Sequence, residues 1–200
     1  MELKKNSEKN CYGCEQEWYD SDWQKLSGCG PTTACNLLFY LEFKRKSSGQ
    51  ERITFSKEYG LMRMKELWEY VTPTEKGIPT TKMFYEDFLN YSKAKDLKVS
   101  YNSIDINKKT NIYPDFRDVI KFIETALLND SPIAFLNLCN GKVNNLDAWH
   151  WVTIISLEYD TNENEAYVNI IDEGLNKRID LKLWYSTTTR GGGFVYFKAD

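Results

Sequence analysis

The sequence predicts an α+β fold, helices first and a sheet second. Three observations carry that reading. Ala34, Leu37, Leu38 and Leu41 recur at helical spacing and give one apolar stripe. Helical spacing dominates as far as Leu127, broken by one alternating stretch. From residue 131 onward, the pattern changes to short runs of β-branched and aromatic residues, broken by turn-forming residues.

Taken in order, residues 1–15 are polar and expected to be mobile. They contain the CxxC motif Cys11-Tyr12-Gly13-Cys14. Residues 16–28 are aromatic and polar without a clear period, so a packed loop is expected. A helix is expected from Pro31 to about Arg45, where Lys46-Ser47-Ser48-Gly49 has loop composition. Ser56 is placed to cap a helix through Leu61, Met64, Leu67, Trp68 and Val71, closed by Thr72-Pro73. Thr80 is placed to cap another through Met83, Phe84, Phe88 and Leu89. Residues 98–106 alternate and suggest a short strand. Tyr113-Pro114-Asp115 opens a helix with Phe116, Val119, Ile120, Ile123 and Leu127 on one face.

Pro132 to Leu138 reads as a central strand. Trp149 to Tyr159 and Ala166 to Ile171 flank the turn residues 160–164, which predicts an antiparallel hairpin. Asp172-Glu173-Gly174 ends its second strand. Phe194-Val195-Tyr196-Phe197 is a last strand. The glycines at 191–193 precede a strand and not a helix, so a turn or mobile loop is expected there, and a phosphate cradle is not.

Composition narrows the function classes. With 42% hydrophobic and 14% aromatic residues the 200-residue chain is globular, and one domain accounts for its length. A net charge of −3, with lysines spread among acidic residues, gives no reason to expect a nucleic-acid partner. The start of the chain has no apolar core behind Lys4 and Lys5, so a secretory signal is not expected. No run approaches the roughly 18 apolar residues of a membrane span. Five cysteines leave at least one thiol unpaired, and a reduced, cytoplasmic setting is the expectation.

The chemistry gathers around Gly28-Cys29-Gly30-Pro31-Thr32. Pro31 suits a first helical turn, where its missing N–H is an orphan donor anyway. Cys29 therefore lies where a helix begins, and the unpaired N–H groups there favour a thiolate. Gly28 and Gly30 leave room for another group to approach the sulfur. A lone cysteine at a helix start is also commonly buried and inert. The chain has one histidine, so an imidazole base for Cys29 must be His150. His150 begins the first strand of the hairpin and Asp172 ends the second, and antiparallel pairing brings those positions together. Asp172 can then hold one ring nitrogen and leave the other for Cys29. Each residue alone also has an ordinary structural account, as a hydrogen-bonded histidine or a turn aspartate. An oxyanion formed on attack needs donors. The Cys29 N–H is one, and the Gln24 side chain is the expected second, with Gln16 more remote.

The order Gln24, Cys29-Gly30-Pro31-Thr32, His150, Asp172 resembles the papain-like cysteine peptidases. It is closest to the branch of bacteriocin-processing, double-glycine leader peptidases. Ile170-Ile171-Asp172 is similar to that branch's strand end, and the Pro132-Ile133 strand entry resembles the family's Pro-apolar strand before the histidine. The resemblance implies an N-terminal helical lobe, with the nucleophile helix packed on a C-terminal antiparallel sheet. It implies peptide or amide cleavage through an acyl-enzyme on Cys29, with His150, Asp172 and Gln24 completing the site. No metal or other cofactor and no membrane partner is implied; the partner is a peptide or protein substrate. The glutamine stands one residue closer to the cysteine than in most papain-like enzymes. Residues 48–115 form a helix-rich insert between cysteine and histidine. Two alternatives keep the same fold, a non-catalytic peptide-binding module and an acyl-transferase. A third is a metal or redox protein built on Cys11 and Cys14.

Overall fold

The computed structural model describes residues 12–46, 55–110, 113–160 and 165–199. After a 3₁₀ turn over Gln16–Trp18 come helices α1 (Asp22–Ser27), α2 (Cys29–Lys46), α3 (Lys57–Trp68) and α4 (Thr81–Ala94). Strand β1 (Val99–Asn107) and helix α5 (Phe116–Leu128) follow. The chain then runs through β2 (Ile133–Asn137), β3 (His150–Asp160), β4 (Glu165–Asp172), β5 (Leu175–Asp180), α6 (Leu181–Thr187) and β6 (Gly191–Ala199).

Side-chain caps explain where several helices begin. Ser56 Oγ accepts from the Tyr59 N–H at 3.2 Å, and Thr80 Oγ1 from Met83 N–H at 3.1 Å. Asp115 and Asp118 form a reciprocal capping box at the start of α5. On α5 Phe116, Val119, Ile120 and Ile123 are buried in one stripe, as the sequence predicts; Ala126 completes it, while Leu127 is only partly buried at its margin.

The six strands form one antiparallel sheet in the order β1-β6-β2-β3-β4-β5. Alternation along the central strands sends side chains to two separate cores. Ala134, Leu136, Trp151, Val195 and Phe197 join the core that also holds the buried residues of α2, α3 and α4. Ile133, Phe135, Val152, Ile154, Phe194 and Tyr196 join the core built with α5 and α6. The sheet is therefore covered on both faces. This explains why β2 is buried at every position and reads as a nearly continuous apolar run up to Asn137. No helix among the described residues is long and apolar enough to cross a membrane.

Three details differ from the sequence expectation. Residues 16–28 are not a plain loop, because Ser21 caps a short helix whose C-terminal Gly28 leads directly into α2. The glycines at 191–193 are not a turn but the start of β6, paired with β1 and β2. A side chain on Gly191 would strike the Ile106 carbonyl, and one on Gly192 the Leu136 carbonyl, so only glycine lets these strands approach. The polar, charged residues 175–187 form β5 and α6, which no apolar periodicity announces. Within the stretch expected to be mobile, Cys11 lies outside the described residues, whereas residues 12–15 are pinned. Tyr12 N–H donates to Gly174 O at 2.9 Å, and Cys14 N–H to Asn36 Oδ1 at 2.8 Å.

Candidate active site

Cys29 is the first residue of α2, two residues earlier than the expected helix start at Pro31. Pro31 still falls in the first turn, where its missing donor leaves no gap. The Gly28 carbonyl accepts from the Thr32 N–H at 2.9 Å and closes that turn. Gly28 itself is wedged between the Gln24 carbonyl and the Tyr19 ring, and Gly30 lies against Ile78. The two glycines are thus needed for packing beneath and beside the sulfur. Cys29 remains partly exposed. Asn36, two turns along α2, accepts from Cys14 N–H and donates through Nδ2 to Thr153 Oγ1 at 3.2 Å. One buried amide therefore ties the N-terminal strap, the cysteine helix and β3 together.

His150 and Asp172 meet at the expected hairpin end. His150 Nε2 and Asp172 Oδ1 are 2.6 Å apart. The Asp172 side chain is only 2% exposed, and its second oxygen accepts from Lys177 Nζ at 2.7 Å. The hairpin β4–β5 closes through Glu173 and Gly174, with φ of 50° and 71°. Two successive positive φ values are what a type I′ turn requires. That tight turn carries Lys177 back alongside Asp172. Lys177 was not anticipated, because nothing in the sequence signals β5.

Burial works against a charged His150, but hydrogen bonds and charge interactions with Asp172 and with Cys29 outweigh it. Together they push its pKa up to about 10. For Asp172, burial pulls in the opposite direction and is likewise outweighed. His150 and Lys177 hold its carboxyl below the usual range. Cys29, His150 and Asp172 line one narrow crevice, together with Gln16, Cys14, Thr32 and Asn36.

Gln24 does not line that crevice. It lies on α1, where its Oε1 accepts from Ser21 Oγ at 3.2 Å. Gln16 lies in the crevice instead, its Nε2 donating to the Lys25 carbonyl. The formation of α1 explains the exchange. Winding residues 22–27 into a helix shortens that path and brings the residue thirteen places before Cys29 beside it.

Of the other thiols, Cys14 and Cys35 are buried with sulfurs 3.5 Å apart, and burial pushes the Cys35 thiol well up. Cys139 is partly exposed. Hydrogen bonds, first from the Thr189 side chain and then from backbone at Thr189 and Gly141, lower its thiol to about 7. Among the described residues no cluster of three or more His, Cys, Asp or Glu is arranged to hold a metal ion.

A groove of about 520 Å³ opens beside Cys29, walled by Leu26, Ile78, Leu136, Trp149 and Trp151. Trp151 Nε1 donates to the Ile78 carbonyl at 2.8 Å, fixing the 74–78 loop as one wall. No protein-family model matches the chain, and no curated protein does either.

Proposed function

We propose that the protein is a papain-like thiol peptidase or closely related amidohydrolase that works through an acyl-enzyme on Cys29. The observation that carries this reading is the sole histidine, held by a buried carboxylate at 2.6 Å in the same crevice as a helix-start cysteine. With Nε2 engaged by Asp172, Nδ1 is the nitrogen left for the sulfur. The Cys29 thiolate attacks the carbonyl carbon of a peptide, forming a C–S bond and an oxyanion. The Cys29 N–H and the Gln16 amide are the donors for that oxyanion. Gln16 spends one amide hydrogen on the Lys25 carbonyl and keeps the other. Protonated His150 gives its proton to the leaving amine as the C–N bond breaks. His150 then takes a proton from water, which attacks the thioester and releases the acid and Cys29.

The substrate is a peptide or protein lying in the groove beside Cys29. The free thiols among the described residues suit a reducing, cytoplasmic setting. The reading is tested by alkylation with iodoacetamide near pH 6, with each adduct mapped. Cys29 should label fastest, and His150→Ala should abolish its advantage. Cys139, lowered by its own local hydrogen bonds, should keep its rate in that variant and serve as the internal control. Cys29 reacting no faster than Cys139, or a Cys29 rate indifferent to His150→Ala, would refute the proposal.

A further inference from the structure

The groove beside Cys29 does not end at Trp149. A second groove of about 450 Å³ continues past it and shares Leu136 and Trp149 as lining. Trp149 is half exposed and holds a φ of +56°, a conformation that a bulky residue adopts only at a cost. It directly precedes His150. The guanidinium of Arg190 lies 5.0 Å from its ring centroid. Stacking of that kind restrains an arginine while leaving its N–H fork available for a carboxylate.

The two grooves differ in charge. Beside Cys29, Glu75 and Lys76 offset each other. Beyond Trp149 the lining includes Arg190, Lys109 and Lys82 against Asp105. Lys82 has its own partner in Glu86, at 3.7 Å. Asp105 is taken up by the Thr81 hydroxyl, at 2.6 Å. Arg190 and Lys109 form no ion pair among the described residues. On a chain of net charge −3, this groove sets Arg190 and Lys109 over an apolar floor of Leu136 and Leu138.

We infer that the far groove is a subsite for an acidic side chain of the bound peptide, read by Arg190 and Lys109 beside Trp149. The inference rests on the peptidase reading in one respect, that an extended peptide lies in the groove next to Cys29. Apolar side chains of the peptide pack along Leu136 and Trp149, and a carboxylate a few residues from the reacting carbonyl meets the guanidinium fork.

The test uses full-length protein carrying Cys29→Ala, so that binding is read without turnover. The probes are short apolar peptides, acetylated and amidated at their ends. A single Glu is walked through successive positions, each compared with its Gln counterpart. At one position Glu should bind about fivefold tighter than Gln, as expected for exposed ion pairs. The preference should vanish near 0.5 M salt, where screening is nearly complete at about 4 Å. Adding Arg190→Gln and Lys109→Gln should erase it, and an unchanged far-UV circular-dichroism spectrum and cooperative melt show that the variant is folded. Equal binding of Glu and Gln peptides at every position overturns the inference. So does failure of every peptide to bind, or a Glu preference that survives in the variant. The alkylation experiment fails independently. An unreactive Cys29 with the Glu preference intact would reject the peptidase and keep the subsite, and a reactive Cys29 without the preference would do the reverse.

Discussion

Because the chain has a single histidine, its titration can be followed without assignment ambiguity. Its pKa is raised from 6.5 to about 10 although the side chain is only 16% exposed. At about 1.4 kcal/mol per pH unit, that rise corresponds to roughly 5 kcal/mol in favour of the imidazolium, net of the burial that opposes it. Two partners supply it, Asp172 and Cys29. A charge-assisted hydrogen bond contributes about 1.5 to 3 kcal/mol, or about one to two pH units. Asp172→Asn should therefore bring His150 down to about 8 or 9, and Cys29→Ala should produce a fall of similar size. The double replacement should carry it near or below the ordinary 6.5, since burial remains when both partners are gone. The assay is an NMR titration of the ring carbon resonance from pH 5 to about 11, well inside the reach of the method. A wild-type midpoint near the ordinary value would refute the account of the site. So would a raised midpoint that neither replacement moves.

Four further outcomes follow from the same geometry. Gln16→Ala should lower kcat/KM for a peptide substrate by about 10²- to 10³-fold through loss of an oxyanion donor, while Gln24→Ala should leave it nearly unchanged; the opposite ranking would restore Gln24 to the role. Trp149→Gly relieves a positive φ, so its Tm should rise while peptide affinity falls, and thermal denaturation beside a binding titration separates the two effects. Gly28→Ala should cost more stability than Gly30→Ala, because its Cβ meets a backbone carbonyl and a Tyr19 ring carbon at 2.6 Å, whereas Gly30 faces the movable end of Ile78; urea midpoints give the comparison. The His150–Asp172 pair also sets a pH window for stability. A raised His150 contributes fully below about pH 6.5 and loses its contribution as pH climbs through about 10. A lowered Asp172 contributes above the ordinary carboxyl range and loses its contribution as pH falls through its folded value. The Tm deficit of Asp172→Asn should thus be largest between about pH 4.5 and 6.5 and shrink on either side.

What the sequence made legible had local causes. Ser56, Thr80 and Asp115 announce helix starts because a short side chain next to an apolar stripe has one good use there. The β3–β4 hairpin and the meeting of His150 with Asp172 followed from strand pairing alone. What was missed depends on tertiary context. The glycines at 191–193 look like a loop until Ile106 and Leu136 carbonyls are placed against them. Lys177 has no signal because β5 is mostly polar and exposed, an edge strand held by its neighbour and not by its own composition. That Gln16 lines the crevice and Gln24 does not was hidden as well, because separation along the chain is a poor guide once a short helix intervenes.

The site draws its parts from regions that the fold fastens together by different means. The cysteine is placed by local rules, a glycine-flanked helix start with a proline in its first turn. The imidazole and carboxylate are placed by register, and register is sensitive, since a one-residue slip turns every side chain to the opposite face. Two features guard against such a slip here. The Glu173-Gly174 turn admits few other backbone conformations, and Lys177 binds the carboxylate oxygen that His150 leaves free. The strap at residues 12–16 then bridges both regions. It hydrogen-bonds to the turn through Tyr12 and to the cysteine helix through Cys14, and it delivers Gln16 to the crevice. A change in the turn is therefore transmitted to Gln16 and the start of α2 as well as to the His150–Asp172 pair. This is why loop positions such as Gly174, remote from the sulfur in sequence, belong to the same structural unit as Cys29.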